Sequence, residues 1–174
     1  LFEKQYTYIS GSEITSPRAM AFHIKALSLW INGNPDDHSM KAKFISYADM
    51  LSDFYKRSIS SDWSWFEEQM TYSNAVLPES LLLAYQVTGN SEYFKIGKES
   101  LDFLVSHSFN GEICAPVGQS GWFKQGGSKQ LYDQQPEEVS ALVLALQTMY
   151  EINRDEEYLK KKELTFDWFL GNNV

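Results

Sequence analysis

Two stretches of this chain repeat one another. At an offset of 65 residues, Tyr85, Val87, Glu92, Tyr93, Phe94, Leu101, Phe103 and Leu104 fall on Tyr150, Ile152, Glu157, Tyr158, Leu159, Phe166, Trp168 and Phe169. Each copy joins an apolar run to an amphipathic run through a short turn, the pattern of a helical hairpin that buries its apolar face by stacking on a neighbour. That repeat confines the chain to helix-on-helix packing and predicts an all-α fold.

The spacing predicts six helices. The first opens at Ser16-Pro17, a cap residue with proline at the first helical position, and stops at Asn32-Gly33-Asn34-Pro35. The second covers about 36–58, where Met40, Phe44, Tyr47, Leu51 and Phe54 recur at steps of four and three to give one buried face. The others are expected over 75–88, 92–106, 136–153 and 157–170. Odd-numbered helices are apolar around most of the wheel and even-numbered ones are amphipathic, so the odd set is inner and the even set outer. Turns within a hairpin are tight, whereas the connections 59–74 and 109–135 are long. Loops of that length in a compact domain usually carry function. Both run from the end of an outer helix to the start of an inner one, which gathers them at one end of the structure beside the inner-helix N-termini.

Composition removes several classes of function. Fifteen Lys and Arg against 23 Asp and Glu leave a net charge of −8 with no basic run, which argues against nucleic acid as a partner. The apolar run 139–150 is interrupted by Ser140, Gln147 and Thr148 and is shorter than the roughly 20 residues a bilayer requires, so no membrane span is expected. Cys114 stands alone, which excludes an internal disulfide. His23, His38 and His107 have no metal-ligand spacing, and the glycines of the second loop lack a phosphate-loop ending. No metal or other cofactor is expected, and the expected location is cytoplasmic. A start at Leu1 without a leader and an end just past a helix read as a single domain over 1–174 cut from a larger protein.

Concentric hairpins with long loops at one end describe an (α/α) toroid. The motifs Ser16-Pro17-Arg18-Ala19-Met20-Ala21-Phe22, Asp62-Trp63-Ser64-Trp65-Phe66-Glu67, Leu77-Pro78-Glu79-Ser80-Leu81-Leu82, Gly121-Trp122-Phe123, Asp133-Gln134-Gln135-Pro136-Glu137 and Phe166-Asp167-Trp168-Phe169-Leu170-Gly171 resemble the six-hairpin glycosidase-like domains of bacteria. More narrowly, they resemble the (α/α) domain that accompanies glycosyltransferases in bacterial sugar-transfer loci. The resemblance covers nearly the whole chain and implies a glycan as ligand and a glycosyltransferase domain, attached or neighbouring, as partner. A full toroid of that superfamily has six hairpins, and this chain supplies about three. A partial toroid should therefore leave apolar flanks uncovered at the ends of its arc.

The aromatic residues, 5 Trp, 10 Tyr and 11 Phe, concentrate the argument on the two loops. Sugar rings stack their C–H faces on aromatic surfaces while their hydroxyls bond to carboxylates and amides. Residues 61–68 hold two indoles and three carboxylates, with Trp63, Phe66 and Met70 at helical spacing, at least two of them expected in the core, and Trp65 as the expected ligand-facing indole. In the second loop Trp122, Tyr132, Gln134 and Gln135 are the candidates for binding substrate, and Gly126-Gly127 offers close backbone approach. Glycoside hydrolysis needs two carboxyl groups across the bond. Glu67 and Asp133 are the candidate catalytic pair, with Glu79 and Glu137 in reserve; Asp133 alternatively caps the fifth helix. Arg18 is a candidate for orienting a sugar hydroxyl or carboxylate, or else pairs with Glu13 or Glu79. Two further readings stand beside a glycosidase-like enzyme: an accessory domain that binds a glycan without hydrolysing it, and a helical-repeat scaffold for protein contacts.

Overall fold

The computed structural model describes residues 14–173. Among these residues six α-helices are found where the apolar spacing places them: α1 Pro17–Gly33, α2 His38–Ser58, α3 Val76–Thr88, α4 Ser91–His107, α5 Pro136–Asn153 and α6 Glu156–Phe166, the last followed directly by a 3-10 turn, Asp167–Leu170. The described residues are all-α apart from four two-residue strands in the connections. The outer helices are capped by side chains. Asp37 accepts from the Met40 amide, Asn90 from that of Glu92 and Asp155 from that of Glu157, at 3.0–3.1 Å. The inner helices begin at Ser16, Ala75 and Gln135, and none of these makes a side-chain cap. Proline opens α1 and α5 instead, where its missing N–H costs nothing.

The inner helices stand in a row, α1 against α3 and α3 against α5, and each also packs on its own outer partner, α2, α4 or α6. Met20, Ile24, Leu27 and Ile31 of α1, Leu77, Leu81 and Leu82 of α3, and Leu142, Leu146 and Met149 of α5 make the core between them. The middle helix, flanked on both sides, is nearly all buried. The two end helices keep an open side, with Phe22 and Leu29 exposed on α1 and Leu144 on α5. Inside the middle hairpin Gly97 lets α4 lie close to α3, because a Cβ there would meet Leu82 Cδ2 at 3.0 Å and the Pro78 carbonyl at 3.2 Å.

The hairpins are also clasped to one another on the outside. The Tyr93 hydroxyl near the start of α4 donates to Asp49 of α2 at 2.5 Å, and the Tyr158 hydroxyl near the start of α6 donates to Asp102 of α4 at 2.6 Å.

The long connections are ordered by short pairings that helical periodicity does not reveal. β1 (Gln69–Met70) in the first loop pairs antiparallel with β4 (Phe123–Lys124) in the second. β2 (Phe109–Asn110) turns at Gly111 onto β3 (Ile113–Cys114). The stretch holding Trp63, Phe66 and Met70 is not helical, yet all three are buried where at least two were expected to be. Trp63 sets its ring edge-on to Phe103 of α4 and Phe123 of β4, pinning both loops to the bundle.

Candidate functional site

The two long loops meet at one end of the helix row. Besides the β1–β4 ladder, the Gln125 amide donates to the Glu68 carbonyl at 2.9 Å, and Gln125 Nε2 donates to Ser60 Oγ at 3.0 Å. Beneath them the start of each inner helix contributes to one buried polar network. Arg18, in the first turn of α1, donates through Nε to the Tyr72 carbonyl at 2.5 Å, through Nη1 to the Glu67 carboxylate and through Nη2 to Asn74 Oδ1 at 3.2 Å. Asn74, just ahead of α3, donates its backbone N–H and Nδ2 to the two carboxyl oxygens of Glu138 at 2.9 and 2.8 Å. Glu138 lies in the first turn of α5. A second ion pair, Lys25 to Glu79 at 2.5 Å, ties α1 to α3.

The network's electrostatics follow from its burial. Desolvation pushes the Glu138 carboxyl up to about 7, against the lowering effect of the Asn74 hydrogen bonds. Glu79 is likewise raised by burial, with Lys25 opposing. Neither Asn74 nor Glu138 is among the candidates drawn from the sequence. The available signal was an Asn before an inner helix and an acid in the first turn of another.

Arg18 is therefore not free to orient a ligand. All three of its guanidinium nitrogens are committed inside the protein, and the residue is buried. Its carboxylate partner is Glu67, not Glu79, which Lys25 holds; Glu13 lies outside the described residues. Glu67 keeps 30% of its side chain exposed and lines a shallow groove with Phe54, Arg57, Ser58 and Glu68. The expectation for Trp65 needs a correction. Its ring is 0% exposed and meets Phe66 edge-on, so it presents no face to a ligand. The chain turns and bends through 61–68 instead of forming a helix, and both indoles are buried there together with Phe66. The Trp65 Nε1 donor has no hydrogen-bond partner.

The second loop is held as a narrow double strand. The Gly118 amide donates to the Gln130 carbonyl at 2.7 Å, Gln119 to Asp133 at 3.1 Å, Ser120 to Tyr132 at 3.5 Å, and Gln130 back to Trp122 at 3.2 Å. The close approach that Gly126-Gly127 suggested belongs to Gly118, where a Cβ would sit 2.1 Å from the Tyr132 carbonyl oxygen. This crossing leaves the Tyr132 side chain outside, 80% exposed. Trp122 is half-buried and holds a φ of +62°, and Asp133 a φ of +60°. Left-handed backbone at a non-glycine residue costs on the order of 1 kcal/mol, so the packing around this loop holds two strained residues. Asp133 is exposed and does not cap α5, whose start lacks a side-chain cap. Gln135 Nε2 donates to the Asp133 carbonyl at 3.2 Å. Gln134 is committed at both ends of its amide, accepting from Trp168 Nε1 at 2.8 Å and donating to the Leu131 carbonyl at 2.9 Å, which withdraws it from ligand binding.

What remains open at this end is polar and aromatic. Glu68, Gln69, Lys124 and Gln125 line a groove of about 430 Å³ along the seam of the two loops. Tyr72 is exposed, with the Arg18 guanidinium 5.0 Å from its ring centre. Carboxylate, amide and ammonium groups with exposed phenol rings can bind a hydroxyl-rich ligand. Among the described residues no three His, Cys, Asp or Glu side chains gather as metal ligands, and no helix is long and apolar enough to cross a membrane. Compared with known proteins, the chain matches no family model, no curated protein and no solved structure.

Proposed function

We propose that this chain is a glycan-binding arc of an (α/α) toroid that positions a saccharide on its loop face, in the manner of a domain working beside a glycosyltransferase. The observation that carries the reading is the hydrogen-bonded seam of the two loops, whose groove offers Glu68, Gln69, Lys124 and Gln125, with exposed Tyr72 and Tyr132 carried on the same two loops. Rigid phenols with polar neighbours suit sugar faces and hydroxyls, and a prepaired loop loses little entropy on binding.

Binding is favoured over hydrolysis because the Glu67 carboxylate is already held by the Arg18 guanidinium from inside the protein. The scaffold reading keeps one supporting observation, the open apolar side of α5, which belongs to a different face. The test is retention on a panel of immobilised neutral and acidic oligosaccharides. Wild type should be retained by at least one saccharide class, Tyr132→Ala should lose most of that retention, and Glu67→Gln and Asp133→Asn should not alter turnover because the binder has none. Hydrolysis of any linkage that Glu67→Gln abolishes would replace the binder with an enzyme.

A further inference from the structure

Two grooves at the loop end share a wall. Glu68 lines the seam groove with Gln69, Lys124 and Gln125, and it also lines the groove of about 290 Å³ over the end of α2, with Phe54, Arg57 and Glu67. The two grooves therefore meet at one side chain, whose carboxylate has no hydrogen bond or ion pair among the described residues.

The charges around that wall run against those of the chain. On the helices Lys25, Lys56, Lys98 and Lys160 are each held by a carboxylate at 2.5–3.0 Å. Lys124 in β4 and Arg57 in the last turn of α2 form no ion pair among the described residues. Glu67 is offset by Arg18, so the joined grooves set Arg57 and Lys124 against Glu68, an excess of one positive charge on a chain of −8. Arg57 is also posed for a ligand. Its Nε donates to the Asp53 carbonyl at 3.0 Å and its guanidinium lies 4.9 Å from the centre of the Phe54 ring, which leaves both Nη groups open. A planar pair of N–H donors matches the two oxygens of a carboxylate. The groove of about 640 Å³ between α5 and α6 has the opposite balance. There Lys162, bonded to Gln147 at 3.0 Å, shares the lining with Glu163, Asp167 and the exposed Leu144 and Phe166.

We propose that the two loop-end grooves form one site for an acidic oligosaccharide. A ring carboxylate of one sugar docks on the Arg57 fork, Glu68 accepts hydroxyls at the junction, and the next sugar lies along the seam beside Lys124 and Gln125. The inference rests on the glycan reading and narrows it to sugars that carry a carboxylate.

Trigalacturonate and its methyl ester share a shape and differ in charge, and ¹⁵N shift titrations of the full chain measure the affinity of each. The acid should bind tighter than the ester by about five- to tenfold, the size of a hydrogen-bonded charge pair at an exposed site. Added salt should weaken the acid and leave the ester unchanged. Arg57→Ala should bring the acid down to the affinity of the ester, and Arg57→Lys should recover only part of the difference, because an ammonium lacks the fork. Glu68→Gln keeps a hydrogen-bonding end and removes a like charge, so it should tighten the acid by about threefold and leave the ester unchanged. Arg57 and Glu68 are both exposed, so neither substitution disturbs the core. Equal affinity for acid and ester, or an acid preference that Arg57→Ala leaves intact, overturns the proposal while the glycan reading stands. Tighter binding of a sulfated trisaccharide than of trigalacturonate overturns the carboxylate assignment. Binding of no saccharide, charged or neutral, overturns the glycan reading and this inference with it.

Discussion

Glu138→Gln should remove a pH dependence that wild type carries. Burial raises the Glu138 carboxyl to about 7 from an ordinary value of 4.5. Between those values the folded protein holds a proton that the unfolded chain has released, so unfolding free energy falls as pH rises, by about 1.4 kcal/mol per pH unit. The full contribution is present below pH 4.5 and is lost as pH climbs through about 7, which amounts to roughly 3 kcal/mol in total. The groups facing this carboxyl are Asn74 from the first loop, Arg18 from α1 and Glu137 from its own helix. The amide of Glu138→Gln has no charge to desolvate, although its NH₂ opposes the Asn74 Nδ2 donor and shifts the whole curve by a constant. Urea midpoints from pH 4.5 to 8.5 for both proteins give the difference curve. That curve should change by about 3 kcal/mol across the range, in the direction that makes the variant relatively better at high pH. Parallel curves would refute the buried titration and the network drawn around it.

Asn74→Ala keeps the backbone N–H but removes the Nδ2 donor to Glu138 and one acceptor of Arg18, and should cost roughly 1–3 kcal/mol at pH 8 and less at pH 5, read by urea unfolding. Tyr93→Phe and Tyr158→Phe each delete one inter-hairpin clasp and should each lower stability by about 1–2 kcal/mol, adding nearly fully because they lie in different hairpin contacts. Gly118→Ala forces the 118–120 strand away from Tyr132 and should cost about 1–3 kcal/mol while weakening saccharide retention; unchanged retention would separate Tyr132 from the site.

Helices were legible in the sequence because period and punctuation agree. Asn32-Gly33-Asn34-Pro35 and Gly89-Asn90 stop helices where they were expected, and the mixed apolar faces of 20–31 and 81–85 mark the inner row. The difference between α3 and its neighbours, by contrast, comes from what each is flanked by. The loops were legible only as places. Trp63 and Trp65 look alike in sequence, and both are buried in a turn-and-bend stretch to which a helical wheel does not apply. Arg18 was visible as a charged residue at an inner-helix start, but its partner was not: Glu67 reaches it across 49 residues of chain. Asn74 and Glu138 escaped notice because a buried polar pair 64 residues apart leaves no periodic trace. Tyr93 and Tyr158 share a place in the repeat, yet that place acquires meaning only once Tyr93 and Asp49 are seen to touch.

The central claim is that the loop seam binds a glycan, and chemical-shift mapping tests it most directly. Titrating the ¹⁵N-labelled chain with the saccharide that retains it should move the amides of Gln69, Tyr72, Trp122, Lys124, Gln125 and Tyr132 together and saturably, while Leu144 and Phe166 stay still. Absence of shifts at millimolar saccharide, or shifts confined to the α5–α6 groove, would contradict the account.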